Sequence, residues 1–423
     1  MAEKKDGSKK TTTKKVDEKA QVQKAVKKQL KKGAKKTLKN RSVQIALIVI
    51  VVAIIVALVV VYLVKPEIFS EIFGGKSNTS GENGSSNNNQ ELPYGEGDLL
   101  FHTINIGQGD CLLINFPDGK DMLIDCGSDA EGSYEMANSY ISKYVTDGQL
   151  DYVMLTHSDK DHVGYLNEVI EDYQCDHIIM PNIKAEPTDA NKSAAVNALD
   201  STKLAMFTDP DTVSTIVYAE FFIAALSEPN CEIMLTVGNF TIKGENWKMD
   251  IFCWSQEMWD ARKVNTAYLL NGLSPVCILQ YNGKRIVLTG DSNEQSYSEP
   301  DRVASMKAFY GVDTLDCDVL KVAHHGSDTS SCDEFLDFVT CETAIISCGP
   351  TTKHGHPRYE ALDRLVERDY TLYRTDLHGD VVVKISGNTL TITPQNENID
   401  NTTLWTGFTN GSGTESKLAV KGD

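Results

Sequence analysis

The ten cysteines never fall in a CxxC spacing, which removes the usual thiolate zinc site. No internal repeat runs through the 423 residues. Charged residues make up 24% and hydrophobic ones 41%, and the mean hydropathy is −0.27, so the bulk is neither disordered nor fibrous. Positive charge is scarce outside the first 41 residues. Those 41 hold 16 Lys+Arg against 4 Asp+Glu, a net of +12, and the remainder holds 25 against 55, a net of −30. A body this acidic lacks the basic footprint of a protein that grips nucleic acid through its phosphates. At ~150 residues per domain the length suggests two or three, yet α/β units of ~250–300 residues often form one.

Residues 45–64 (IALIVIVVAIIVALVVVYLV) are 20 in a row without a charge. At ~1.5 Å per residue a helix of that length covers ~30 Å, the thickness of a hydrocarbon core. The β-branched content would suit a strand in water, but a bilayer requires every backbone N–H to be satisfied within the segment, and a helix does that. A cleaved signal peptide would have a shorter apolar region ending in a small-x-small site. This run leads instead into Lys65-Pro66-Glu67 and reads as an uncleaved transmembrane helix over 43–64. The positive-inside rule then puts the basic arm, 1–42, in the cytoplasm and the rest outside, a single-pass protein of the cell membrane with an extracellular domain. Val22, Val26 and Leu30 recur every four residues in the arm. That pattern fits a solvated tail that fixes topology, a segment lying on anionic lipid, or a contact with cytoplasmic nucleic acid. Residues 65–96 form a linker, Gly/Ser/Asn-rich over 74–90, and 395–423 read as a disordered polar tail.

The body, 97–394, reads as many short strands mixed with helices. Strands are expected at 99–106, 111–116, 122–125, 152–156, 177–180, 276–281, 284–290, 318–323, 344–347, 371–374 and 381–385. Helices are expected at 165–172, 332–340 and 357–368. Asn282-Gly283 is a strong hairpin signal between two of the strands. Residues 183–240 read as a helical insertion or a lid. Cys111, Cys277 and Cys348 sit in apolar runs that suit buried free thiols; disulfides stay open for an extracellular chain, with no pair assigned.

Chemistry-bearing residues follow the strands. His157, Asp159, Asp161 and His162 lie within six residues directly after an apolar run. A tight loop at a strand end can turn all four toward one point, where imidazole and carboxylate suit Zn²⁺ or Mn²⁺. Asp291 follows a strand ending in Gly290 and is placed to bridge two cations. His324, His325, Gly326 and Ser327 follow another strand, the pair reading as a ligand plus a neighbour. Asp125 is either a turn former or a residue that orients ligands from behind. His356, in His354-Gly-His356-Pro357, opens a helix and either touches a phosphate, protonates a leaving group or caps the helix. Arg374 either binds an anion or pairs with Asp376. His102 and His177 read as structural.

His157-x-Asp159-x-Asp161-His162 resembles the HxHxDH signature of the metallo-β-lactamase fold, with Asp for the second His. That variant looks like the extracytoplasmic hydrolase domain of ComEC-type competence proteins. Other motifs follow in order. Ile104–Asp110 resembles "VGQGD", Ile124–Gly127 "IDxG", Thr289–Asp291 "LTGD", His324–Ser327 "HHGS", Gly355–Pro357 "GHP" and Arg374–Asp376 "RTD", over about 300 residues. The resemblance implies an α/β four-layer αββα sandwich of two mixed sheets with two divalent ions, Zn or Mn, at one edge. By carry-over His157, Asp159, Asp161, His162 and Asp291 would be ligands, with His324 or His325 completing the set. His324 is preferred because it follows the strand directly. Asp161 and His356 would be catalytic, Asp125 would orient, and Ser327 and Arg374 would meet substrate. The chain departs from ordinary members in lacking a clear middle histidine, and Asn271-Gly-Leu-Ser274 resembles what ComEC-type domains carry there. It shows one span and no polytopic channel, so DNA import is not implied. Two dications against the three carboxylates Asp159, Asp161 and Asp291 leave a positive pocket suited to a phosphodiester. The expectation is a membrane-anchored extracellular phosphodiesterase, with single-stranded DNA one substrate. Small or cell-wall phosphodiesters, and a non-enzymatic metal-bound surface module, are the alternatives.

Overall fold

The central strands of the body, such as Leu99–Thr103 and Cys111–Asn115, are buried at every position, so both of their faces need cover. The computed structural model describes residues 95, 97–128, 130, 132–255, 258, 266–350, 355–409 and 414–417. The basic arm, the expected membrane helix and nearly all of the linker lie outside the described residues. Among the described residues no helix is long and apolar enough to cross a membrane.

The chain lays down β1 (Leu99–Thr103), β2 (Cys111–Asn115), β3 (Asp121–Cys126), α1 (Ser133–Ile141), β4 (Gln149–Met154), the one-turn α2 (Lys160–Val163), α3 (Leu166–Asp172) and β5 (Gln174–Met180). Then come β6 (Lys184–Ala185), α4 (Ala190–Asn197), α5 (Ser201–Leu204), β7 (Thr212–Val213), α6 (Ile216–Ser227) and β8 (Glu232–Leu235). A second series runs β9 (Phe240–Lys243), β10 (Trp247–Phe252), α7 (Thr266–Gly272), β11 (Val276–Tyr281), β12 (Lys284–Leu288), α8 (Ser298–Tyr310) and β13 (Leu315–Lys321). It continues with α9 (Asp333–Phe338), β14 (Val339–Ile346), α10 (Tyr359–Val366), β15 (Thr371–Arg374) and α11 (Thr375–His378). The chain closes with β16 (Val381–Ser386), β17 (Thr389–Pro394), α12 (Asn401–Leu404), β18 (Thr406–Thr409) and β19 (Thr414–Lys417).

Two mixed sheets result. One has eight strands in the order β17-β16-β1-β2-β3-β4-β5-β8, and the other has seven, β15-β14-β13-β12-β11-β10-β9. Each has an antiparallel half and a parallel half, the parallel halves being β3-β4-β5-β8 and β12-β13-β14-β15. Leu99, Phe101, Leu112, Ile114 and Met154 on the first sheet meet Met249, Ile251, Leu279, Ile286 and Val319 on the second in one apolar layer. The opposite face of the first sheet, including Leu113 and Val153, packs on α1, α3 and α6. That of the second, including Ile278 and Leu320, packs on α8, α9 and α10. Helix, sheet, sheet, helix is the expected αββα sandwich.

Residues 183–240 form part of a layer rather than a lid. Tyr218, Phe221 and Phe222 of α6 are fully buried against the first sheet, and β8 extends that sheet beyond β5. The expected 332–340 helix stops at Phe338, because Val339 already pairs with Leu315 and opens β14 five residues early. Past Pro394, where a structureless tail was expected, β18 packs on α10 and α12 on β15, and Trp405 is buried in the outer core. All ten cysteines are free; Cys111 and Cys126 lie on neighbouring strands with sulfurs 3.7 Å apart.

Candidate metal centre

In sheets with parallel strands, sites form beyond the carboxyl ends. Here β3, β4, β12 and β13 deliver Asp125, His157, Asp291 and the His324–His325 pair to one edge of the sandwich. Asp291 is the hub. Gly290 ahead of it has φ 49°, and a Cβ there would lie 2.9 Å from the Ser274 side chain, so only glycine fits this turn. The Asp291 N–H donates to Ser274 Oγ at 3.0 Å. Its Oδ1 lies 3.1 Å from His162 Nε2 and 3.7 Å from His325 Nε2. Its Oδ2 lies 3.8 Å from His157 Nε2 and 3.6 Å from His324 Nε2. The loop with His157 to His162 is seated on the end of β3 through Gly127, where a Cβ would stand 2.4 Å from the His162 nitrogen.

Hydrogen bonds on the far side of each ring fix its tautomer. His325 Nδ1 is 2.9 Å from the Ser347 carbonyl, which only accepts, so the proton is on Nδ1 and the lone pair on Nε2. His162 Nδ1 faces the Asp125 carboxylate at 2.7 Å, with the same consequence. His157 Nδ1 meets the hydroxyls of Thr156 at 3.1 Å and Ser274 at 3.3 Å. Thr156 Oγ1 already donates to Asp125 Oδ2, so it accepts from the ring. His157 Nε2 is buried with no hydrogen-bond partner, and the Nε2 atoms of His162 and His325 stand 3.2 Å apart. The Nδ1 contacts leave three Nε2 atoms directed inward around a carboxylate, and these become lone-pair donors when a divalent cation displaces any proton they carry, so the donor set fits such cations.

Burial and His162 push His157 down to about 4. Burial works against His162 as well, yet Asp291 and Asp125 hold it well above its ordinary value. Burial and the carboxylates Asp161 and Asp291 push Asp159 up to about 6. Asp161 moves the other way: against the cost of burial, His325 and His162 keep it below the carboxylate range, with Oδ2 3.4 Å from His325 Nε2. Asp159 is the outlying member, 3.8 Å from His157 Nε2 with 42% of its side chain exposed.

The pair after β13 departs from expectation. His325, not His324, joins Asp161 and His162 in a close group, because the backbone turns left-handed immediately after the strand. Arg374 is withdrawn from substrate: it forks onto Asp376 at 3.1 and 2.7 Å, and its Nη1 donates to the carbonyls of Leu404 and Thr406. Ser327 serves its own turn, 3.0 Å from Thr329 Oγ1 and accepting from the Thr329 N–H. His356 lies beside His324, ring centroids 5.3 Å apart, and burial with the neighbouring imidazoles pushes it down to about 2. His354 lies outside the described residues. His102 bonds Tyr140 and Asn115, and His177 bonds the Asp151 carbonyl, both away from the centre.

Several supporting residues went unassigned in the sequence reading. Asp110 is fully buried, paired with Lys321 at 2.8 Å, and accepts from the Ser347 hydroxyl. The "VGQGD" motif carried that signal. Arg302, fully buried in α8, donates to the carbonyls of Gly272 and Ser274 and so holds the segment that cradles Asp291; no local pattern marks it.

Residues 104–215 match the metallo-beta-lactamase superfamily, and with the two-sheet architecture they show that the chain has the metallo-β-lactamase fold. Proteins with this fold are usually metal-dependent hydrolases that hold two divalent ions. The chain is 24% identical over 293 residues to ComE operon protein 3 of Bacillus subtilis (strain 168), covering 66% of this chain and 32% of that protein. It is also 24% identical over 292 residues to Recombination protein 2 of Haemophilus influenzae, covering 69% of this chain and 29% of that one. It thus spans about a third of the length of these curated relatives. Among solved structures it is similar to the metallo-beta-lactamase fold protein YhfI from Bacillus subtilis, at 12% identity and a TM-score of 0.35, over 68% of this chain and 99% of that one.

Proposed function

We propose that this protein is a dinuclear metal hydrolase of phosphodiester bonds, anchored by residues 43–64 with its domain outside the cell. The reading rests on Asp291, whose two carboxylate oxygens face two separate sets of imidazoles. Two divalent cations, Zn²⁺ or Mn²⁺, would supply Lewis-acid stabilisation for the charge that develops on a phosphodiester during in-line displacement. The chain's own residues do the rest. His157, His162 and His325 direct their Nε2 atoms inward, Asp161 and Asp159 add negative charge on either side, and Asp125 holds the His162 ring. His356, beside His324, offers a neutral ring at the rim for a substrate oxygen.

The names of the relatives, a ComE operon protein and a recombination protein, support single-stranded DNA as one substrate to test. A compact diester, including those of cell-wall polymers, is favoured by the state of Lys321. That residue is sealed in an ion pair with Asp110 and adds nothing to a phosphate track, while Arg358 lies 3.7 Å from Asp328. The purified full chain, loaded with Mn²⁺ or Zn²⁺, is expected to cleave bis-p-nitrophenyl phosphate, and Asp161→Ala to abolish that cleavage. Full activity in Asp161→Ala on every substrate the wild type cleaves would overturn the assignment. Protease added to intact cells should digest the domain; protection would reverse the orientation.

A further inference from the structure

His324 and His325 are consecutive, and in a continuing strand their side chains would point to opposite faces. Both instead adopt left-handed backbone angles, φ 49° and ψ 45° at His324 and φ 54° and ψ 24° at His325. Such angles disfavour any residue with a Cβ, and two in succession persist only where the surroundings impose them. The His324 N–H is tied to the Gly290 carbonyl at 3.0 Å, which fixes the turn beside Asp291. The two rings are thereby splayed, centroids 6.2 Å apart at 71°, and address different oxygens of one carboxylate. His325 Nε2 is on the Oδ1 side with His162 and Asp161; His324 Nε2 is on the Oδ2 side with His157 and Asp159.

The Oδ2 side is short of a nitrogen donor. Between His162 and Asp291 the sequence holds one histidine, His177 on β5, and its ring is bound to the Asp151 carbonyl of β4. Asn271 Nδ2 stands 3.4 Å from His324 Nε2 and 3.5 Å from Asp291 Oδ2. A donor on that nitrogen means the His324 lone pair faces inward, the same tautomer as its three neighbours, and the opposite amide orientation would bring an oxygen into the same space.

We propose that the paired histidines divide between two cations. His325 serves with His162 and Asp161 at the ion on Asp291 Oδ1, and His324 serves with His157 and Asp159 at the ion on Oδ2, in place of an imidazole from elsewhere in the chain. The division rests on the dinuclear reading above. It is tested by titrating the full chain with manganese(II), counting bound metal after dialysis and recording electron paramagnetic resonance spectra. The wild type is expected to bind two equivalents and give an exchange-coupled spectrum. His324→Ala should keep one equivalent, bind the second at least ~10-fold more weakly and show an isolated six-line signal. His324→Glu, which returns an oxygen ligand to that place, should recover the second equivalent. Melting temperatures of the variants in chelator should stay within a few degrees of that of the wild type, as the His324 side chain is 24% exposed and lies at the rim rather than in an apolar layer. Two equivalents and a coupled spectrum in His324→Ala would overturn the division while leaving the hydrolase reading intact. Fewer than two in the wild type would overturn both.

Discussion

The two sides of Asp291 are built differently. On the Oδ1 side, His162 and His325 are wholly buried, and each ring is locked from behind by Asp125 or the Ser347 carbonyl. On the Oδ2 side, Asp159 has 42% of its side chain exposed and His324 has 24%. His157 is the buried anchor of that side, held by hydroxyls rather than by a charged group. A preorganised set of donors binds more tightly than one that must be gathered, since its ordering is already complete before the ion arrives. The Oδ1 side should therefore fill first, and the Oδ2 side should be the one open to substrate.

The largest effect should come from removing what the sides share. Asp291→Ala is expected to drop bound metal below two equivalents and to lower the rate on bis-p-nitrophenyl phosphate by at least ~10²–10³-fold, the scale of losing a main electrostatic stabiliser. Two tightly held equivalents in that variant would show that the sides are not bridged. Asp125→Asn should act on the buried side, because the His162 ring loses its charged acceptor. Metal affinity of the first equivalent should fall ~10–100-fold in competition with a chelating dye, with the second changed less. If the weaker equivalent suffers more, the ranking of the two sides is reversed. Chelation should cost stability on both sides: each ion at a hundredfold excess over its Kd contributes about 2.7 kcal/mol. A fall of several degrees in melting temperature by scanning calorimetry follows. An unchanged melting temperature would mean the donors rest comfortably without cations.

The smallest effect belongs to a region that neither side uses. Burial, reinforced by Asp147 and Asp151, pushes Asp121 up to about 7. The folded chain thus keeps a proton that the unfolded chain releases near pH 4, and the associated stability is lost as pH rises through 7. Asp121→Asn should gain in melting temperature relative to wild type between pH 4.5 and 8, with metal content unchanged. A difference that stays flat with pH would show that Asp121 is ionised in the fold.

How much of this could be read beforehand depended on how local each arrangement is. The loop from His157 to His162 and the Gly290–Asp291 turn were legible because their donors sit directly after apolar strands, where the sheet edge gathers them. The four layers were legible through motif order. The choice between His324 and His325 was not, because it turns on two successive left-handed residues that no side-chain pattern announces. Arg374 stayed open between an anion and Asp376 for a different reason. Its acceptors, the carbonyls of Leu404 and Thr406, lie some thirty residues downstream in a polar stretch, and a single tryptophan gives no periodicity to flag it. Arg302 is similar: a buried cation in a helix reads from sequence as an ordinary surface residue.

That downstream clasp sets a limit on how the molecule can be trimmed. Phe408 donates its N–H to the carbonyl of Pro357, the residue after His356, and Arg358 bridges Phe408. A fragment ending at Pro394 would take two carbonyl acceptors from the Arg374 guanidinium, strip Trp405 off the outer core and release the rim segment that presents His356. Shortening the polar end is thus an operation on the rim of the candidate metal centre, felt there before it is felt in the sheets.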